Sequence, residues 1–167
     1  MIAALDVAYG ARGAAAAGVL FGSFADAAGT RAHTARIAEV APYEPGAFYR
    51  RELPCLRAVL EQVGEPLDVI VIDGFVWLSA DGRPGLGAHL FEALSRRCAV
   101  VGVAKTGFAG SGFAEAVLRG ESVKPLFVTA AGVDPSVAAA WIRGMHGEHR
   151  IPTLLRRVDR LCRDAAG

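Results

Sequence analysis

Cysteine is scarce in this 167-residue chain: Cys55, Cys98 and Cys162 are too few and too scattered for a disulfide framework or a zinc site. They read as thiols in a reducing cytoplasm. No run approaches the ~18 uninterrupted apolar residues of a membrane span, and the start, MIAALDVAYG, lacks a basic n-region and carries Asp6, which argues against a signal peptide. Net charge is nearly absent as well. At +1 the chain exerts no general pull on nucleic acid, so any such site must be a local basic patch or a metal centre. Lysine is the scarcest basic residue: of 18 lysines and arginines only Lys105 and Lys124 are lysines, so a lysine at a strand end draws attention. Repeats and linker-like segments are missing, and 53% hydrophobic residues exclude disorder. Residues 1–167 are expected to form one domain, with a monomer as the default.

What is present is an ordered series of elements. IAALDVAY reads as a strand with Asp6 among apolar neighbours, and AAAGVLFGSFA and RAHTARIAEV follow after glycine-bearing breaks, which suggests an antiparallel meander. The alanine run also suits a helix. From Pro54 to Val63 the stripe Leu56, Val59, Leu60 and Val63 predicts a helix, and four residues back the stripe reaches Glu52. DVIVIDG (68–74) and CAVVGVAK (98–105) read as strands buried on both faces. Helices are expected over 86–96, 113–119 and 153–164, a strand over 124–131, and a helix opening at Asp134-Pro135. A meander followed by strand–helix alternation makes an α/β mixed sheet, antiparallel first and then parallel, flanked by helices. That order fits an RNase H-like fold.

A carboxylate inside an apolar strand is costly without a partner. Asp6 and Asp73 occupy such positions, and Glu52 lies at a helix start between them. Convergence of the three would give hard oxygen donors for Mg²⁺ or Mn²⁺. Taken singly, each has a plainer reading: Asp73-Gly74 as a strand-ending turn, Asp6 as the partner of an arginine, Glu52 as a solvated acid favoured by the helix dipole.

In register along nearly the whole chain, these residues resemble the endonuclease V family, nucleases that cut near deaminated adenine. DVAY at 6–9 resembles the family's first strand, PYEPG at 42–46 its Pro-Tyr-x-Pro-Gly wedge, RELP at 51–54 its Arg-Glu-x-Pro, and VIDG at 71–74 its second aspartate. GLGAH at 85–89, VGVAK at 101–105, and KPLFVT with AAAWI complete the series. The resemblance implies Asp6, Glu52 and Asp73 as Mg²⁺ ligands (Mn²⁺ as the substitute) and Lys105 as cationic partner of the phosphate or attacking water. Tyr43 is implied as a wedge that fills the gap left by a flipped base, with Pro45 stiffening its loop, and Gly46 and Gly74 let backbone approach that base. His89 is implied as a structural or phosphate neighbour. DNA and RNA both remain open as partners, in repair or in RNA processing.

Departures from the family pattern leave other readings open. Further residues precede the family's first strand, which here begins at Met1, so a short member is expected. The family's Asp-Gly-His and His-Pro-Arg give way to DGFVWLSADGRPG, and its Gly-His-Arg before a late helix is expected near residue 132, where AAGVDPSV has no histidine. Asp134 is the nearest substitute, although Asp-Pro is also a good helix cap. Phe75 and Trp77 stand as base-stacking or packed residues, His146 and His149 as a solvated helix end, and Arg156, Arg160 and Arg163 as a phosphate-facing or solvated stripe. A non-catalytic nucleic-acid-binding relative, or a nuclease that reads structure rather than inosine, are the alternatives.

Overall fold

A computed structural model describes residues 1–167. Three antiparallel strands come first: β1 (Ile2–Gly10), β2 (Gly13–Phe21) and β3 (Arg31–Ile37). Then follow α1 (Tyr49–Leu60), β4 (Val69–Asp73), α2 (Leu86–Ala93), β5 (Ala99–Ala104), β6 (Glu115–Val117), β7 (Leu126–Ala131), α3 (Pro135–Arg143) and α4 (Thr153–Ala166). The seven strands form one mixed sheet in the order β3-β2-β1-β4-β5-β7-β6. β4 runs parallel to both β1 and β5. The mixed RNase H-like arrangement expected from the sequence is therefore present. No helix is long and apolar enough to cross a membrane.

Strand parity builds a core on each face. Side chains alternate along a strand, so Ala3 and Leu5 join α1 and α2 residues such as Leu56, Val59 and Leu90. Ile2 and Ala4, with Val69, Val71, Val101 and Val103, turn the other way and pack under Ile142 of α3 and Leu154 and Val158 of α4. The alanine run of β2 is a strand because it is covered on both sides: Ala15, Ala16 and Ala17 have no exposed surface. Small side chains let the flanking helices come close. A Cβ on Gly10 would lie 2.2 Å from the carbonyl oxygen of Ala166, so α4 can rest its last turn there only over a glycine.

Three element expectations are corrected. The helix expected over 113–119 is a single 3₁₀ turn at Ser111–Phe113 followed by strand β6. The same fact decides the direction of β7: a parallel return needs a crossover, usually helical, and without one β7 runs antiparallel to β5. The expected helix over 54–63 starts five residues earlier, at Tyr49, so Glu52 falls in its first turn and Pro54 lies within it. The helix expected to reach residue 96 stops at Ala93, because Ser95 and Arg96 take positive φ angles of 55° and 57°.

Candidate active site

The parity that sorts the core also places the acids. Asp6 continues the Ile2–Ala4 series, Asp73 the Val69–Val71 series and Lys105 the Val101–Val103 series, so Asp73 and Lys105 at the ends of β4 and β5 and Asp6 in the middle of β1, just past its pairing with β4, share the face that α4 covers. They line one small apolar pocket with Leu155 and Val158 of α4. Lys105 Nζ donates to Asp73 Oδ2 at 2.6 Å and stands 4.0 Å from Asp159 Oδ1. Burial pulls the Lys105 ammonium down, but the hydrogen bond and charge of Asp73 outweigh it and the net shift is upward.

Glu52 arrives from the other face. It sits in the first turn of α1, is buried, and accepts a hydrogen bond from Tyr9 Oη at 3.3 Å. Tyr9 has the parity of Leu5 and Val7, so this pair approaches the strand ends from the α1 side. The Asp6 carboxylate accepts from its neighbour's backbone, Val7 N–H, at 2.8 Å. Burial first, then the charge of Asp73, raises the Asp6 carboxyl to about 7. Burial also lifts Glu52 to about 7, with the hydrogen bond from Tyr9 opposing and the charges of Asp6 and Asp73 adding. Two carboxyls poised this high are held by burial first, with the neighbouring acids adding to it.

As placed, no three of the His, Cys, Asp and Glu side chains form a closed metal cage. The donor set nevertheless fits a hard cation: all are carboxylate oxygens, brought together from β1, β4, α1 and α4, and two of them, Asp6 and Glu52, are strongly desolvated.

Asp159 is a site residue that the sequence reading passed over. It lies on α4, contributes to the field at Asp6, and holds Arg163 at 3.0 Å besides facing Lys105. The signal was available: Leu154, Val158 and Cys162 mark the buried stripe of α4, and Asp159 flanks it on the sheet side. Asp134 is not brought to the cluster. Because β7 is antiparallel, Phe127 pairs with Ala104 near the acids while Ala131 pairs with Val100 at the far end, and Asp134 lies beyond Ala131. Its carboxylate caps α3, accepting from Ser136 N at 2.8 Å and Ser136 Oγ at 2.6 Å, and these bonds lower its pKa.

The helix that reaches the site is thus α4, and Glu148-His149-Arg150 precedes it, so a histidine before the late helix stands at 149 rather than near 132. Arg150 donates to the carbonyl oxygens of Lys124 and Pro125, each at 2.9 Å, and to that of Lys105, tying the approach of α4 to the strand carrying the lysine. His146 meets Thr153 Oγ1 at 3.0 Å, and His149 is exposed. Arg156, Arg160 and Arg163 are exposed.

Tyr43, at 62% exposure, projects from the Pro42–Gly46 loop, and Gly46 takes a φ of 79°. Beside it a second pocket opens between this loop and residues 73–86, with Gly46, Tyr49, Asp73, Gly74 and Phe75 in its walls. Gly74 has a φ of 122° and open space where a Cβ would stand, a conformation that L side chains avoid. His89 does not face the acids: it stacks on Tyr49 with centroids 3.5 Å apart and planes at 16°. Phe75 meets Phe108 edge-on at 5.0 Å. Trp77 is packed, its indole N–H donating to Ala130 O at 2.8 Å.

The Endonuclease V family model matches residues 1–129. Curated endonuclease V proteins from Streptomyces avermitilis and Streptomyces coelicolor are 33% and 32% identical to the chain, each over 74% of it. The chain spans 62% and 60% of the length of those relatives. Among solved structures, endonuclease V of Streptomyces avermitilis superposes with a TM-score of 0.77 at 32% identity, over 98% of this chain and 80% of that one. Ciona intestinalis endonuclease V, in complex with a 24mer DNA containing an inosine followed by a ribo-adenosine, shares the fold, with a TM-score of 0.79 at 21% identity over 98% of this chain and 84% of that one.

Proposed function

The chain belongs to the endonuclease V family, and from that premise we propose that it is a metal-dependent endonuclease hydrolysing a phosphodiester near a deaminated base, inosine or deoxyinosine. The observation that carries the reading is the gathering of carboxylates: Asp6, Asp73 and Asp159 face Lys105, Glu52 reaches Asp6 and Asp73 from the α1 side, and burial raises Asp6 and Glu52 to about 7. Those four carboxylates would hold Mg²⁺ or Mn²⁺. When bound, such an ion activates water and offsets charge building on the phosphate.

The chain's own residues do the rest. Lys105 neutralises Asp73 before the site is charged with a cation and is then free to turn toward a phosphate oxygen or the attacking water. Unstacking a base costs a few kcal/mol, and a loop-held aromatic such as Tyr43 recovers part of it by filling the gap. The pocket beside Asp73 receives the extruded base, where Gly46 and Gly74, without side chains, leave room for it to approach the backbone. Tyr49, braced by His89, forms its wall. The products are a 3′-hydroxyl and a 5′-phosphate. Residues 1–167 act as one domain, as a monomer, on DNA or RNA.

One observation favours a second reading. The loop over 75–84 lines the pocket with the apolar side chains of Phe75, Leu78 and Pro84 while Trp77 is bonded inside, and its one charged group nearby, Arg83, stands at the Gly46 side. A nuclease that selects unpaired bases by stacking follows from that wall. End-labelled single- and double-stranded DNA and RNA, with and without one inosine, incubated in Mg²⁺ or Mn²⁺, separate the two. Inosine-dependent cutting that Asp73→Ala abolishes supports the first. Equal cutting at unmodified mismatches supports the second, and intact binding with no cutting of any substrate removes both.

A further inference from the structure

Tyr43 is 62% exposed, so its direction is set by the chain that carries it. That chain is short and closed. Glu44, Pro45, Gly46 and Ala47 form a turn in which the Ala47 N–H donates to Glu44 O at 3.0 Å, and proline followed by a glycine at φ 79° marks it as type II. The Arg50 N–H then donates to Ala47 O at 3.0 Å. A side-chain bond closes the same stretch a second time: Arg50 Nη1 donates to Glu44 Oε2 at 2.9 Å. Glu44 directly follows Tyr43 and has no other cation within 4.0 Å, although Arg83 stands beside Gly46. Arg50 is anchored in turn. Its Nε donates to Tyr49 Oη at 3.4 Å, and the Tyr49 ring stacks on His89 of α2. The residue after Tyr43 is thereby tied to both helices on this face of the sheet.

An ion pair whose side chains are 59% and 54% exposed contributes little to stability. Its place gives it another use. A carboxylate next to an aromatic that enters a base stack meets phosphates of its own sign, and like charges at close range are unfavourable. Arg50 neutralises Glu44 and holds it toward α1. We propose that the Glu44–Arg50 pair is a positioning device for Tyr43, locking the turn behind the ring to α1 so that the ring is presented to the gap left by an extruded base. This rests on the nuclease reading above. Neither residue touches the reacting atoms; both act through Tyr43, and the pair matters most where the neighbouring bases are stacked.

The test compares a stacked with an unstacked substrate. Cleavage in Mg²⁺ is measured on a DNA duplex with one inosine and on its inosine strand alone. The proteins are wild type, Glu44→Ala, Arg50→Ala, both together, the exchange Glu44→Arg with Arg50→Glu, and Tyr43→Ala with and without Arg50→Ala. Glu44→Ala and Arg50→Ala are each expected to lower kcat/KM on the duplex by about 5-fold, the upper end for an exposed pair. On the single strand, where the base is already partly unstacked, the loss should stay below about 2-fold. The two alanine changes together should cost no more than either alone, and the exchanged pair should recover most of the duplex activity. In the Tyr43→Ala background, Arg50→Ala should have no further effect. Equal losses on duplex and single strand, or a further loss on top of Tyr43→Ala, overturn the assignment. A loss in Arg50→Ala with none in Glu44→Ala overturns it too, since Arg50 would then contact the nucleic acid itself. Variants that all cut the duplex as wild type does overturn it while leaving the nuclease reading standing. Wild type that cuts no inosine substrate sinks the nuclease reading and this inference with it.

Discussion

The burial of Asp6 beside a second carboxylate has a thermodynamic signature that can be measured without any substrate. Asp6 moves from 3.8 to about 7 on folding, and burial with the charge of Asp73 is the cause. An acid whose pKa is raised binds its proton more tightly when folded, so its stabilising effect is complete below the unfolded value and is lost as pH rises through the folded one. From 3.8 to about 7 this amounts to roughly 4 kcal/mol. Metal-free protein should therefore lose stability between about pH 4 and pH 8. His89 acts oppositely below its usual 6.5, because burial disfavours its protonated form, so the decisive comparison is between variants. Asp6→Asn removes the charge and keeps the shape. In EDTA at pH 8 it should melt on the order of 5–15 °C above wild type, and the gap should close by pH 5. Mg²⁺ at 100 times its Kd should raise the wild-type melting temperature at pH 8 by the equivalent of about 2.7 kcal/mol, less at pH 5 where protons compete for the carboxylates, and should leave Asp6→Asn nearly unmoved. Calorimetry reads all of these. An Asp6→Asn protein no more stable than wild type at pH 8 in EDTA would refute the reasoning, since the Asp6 carboxylate would then not be opposed by its burial and by the charge of Asp73.

Asp159→Asn should lower cleavage at least ~10-fold in a single-turnover assay, in keeping with a lost charge at the reacting site, while Asp134→Asn should leave the rate unchanged. Asp134→Ala should instead cost ~1 kcal/mol, the value of a helix cap, read by urea unfolding. Tyr43→Ala, at a 62% exposed position, should keep the melting temperature and weaken oligonucleotide binding roughly 10-fold, about the stacking of one base. Gly102→Ala should unsettle the base-pocket loop, because the added Cβ would meet the Gly74 carbonyl oxygen at 2.5 Å and the Val76 nitrogen at 2.9 Å; loss of protection of the Val76 amide, which bonds Thr129 Oγ1 at 2.8 Å, should show in hydrogen exchange.

What could be read from the sequence, and what could not, divides along a physical line. Asp73 and Lys105 were legible because each closes an apolar strand and Asp6 because it interrupts one, and strand parity is written in the residues themselves: every second position from Ile2, Val69 and Val101 leads to them. Glu52 was legible from helical spacing, and its burial confirms the stripe that pointed to it. Asp159 was missed because its position depends on where α4 lands, which is a tertiary fact. Asp134 was a candidate for its place in the chain, but the direction of β7 carries it to the other end of the sheet, where it is the helix cap that Asp-Pro also suggested. That direction turned on whether residues 106–125 hold a helix, and three glycines at 107, 110 and 112 leave too little apolar spacing for one.

The same division explains why Arg51 did not stand out. In sequence it is one more arginine in a chain rich in them, adjacent to an acid that would ordinarily take its charge. Only the fold shows that neighbours in the chain can be separated at the site: Glu52 turns inward to the strand ends, Arg51 turns onto the Tyr9 ring, and one tyrosine holds both by different parts of itself. On the nuclease reading this separation has a use. A cation paired with the carboxylates would have to be displaced before a divalent ion could enter, and one such cation, Lys105, already fills that place. Arg51 is instead held over a neutral ring, so Asp73 keeps Lys105 as its one paired cation.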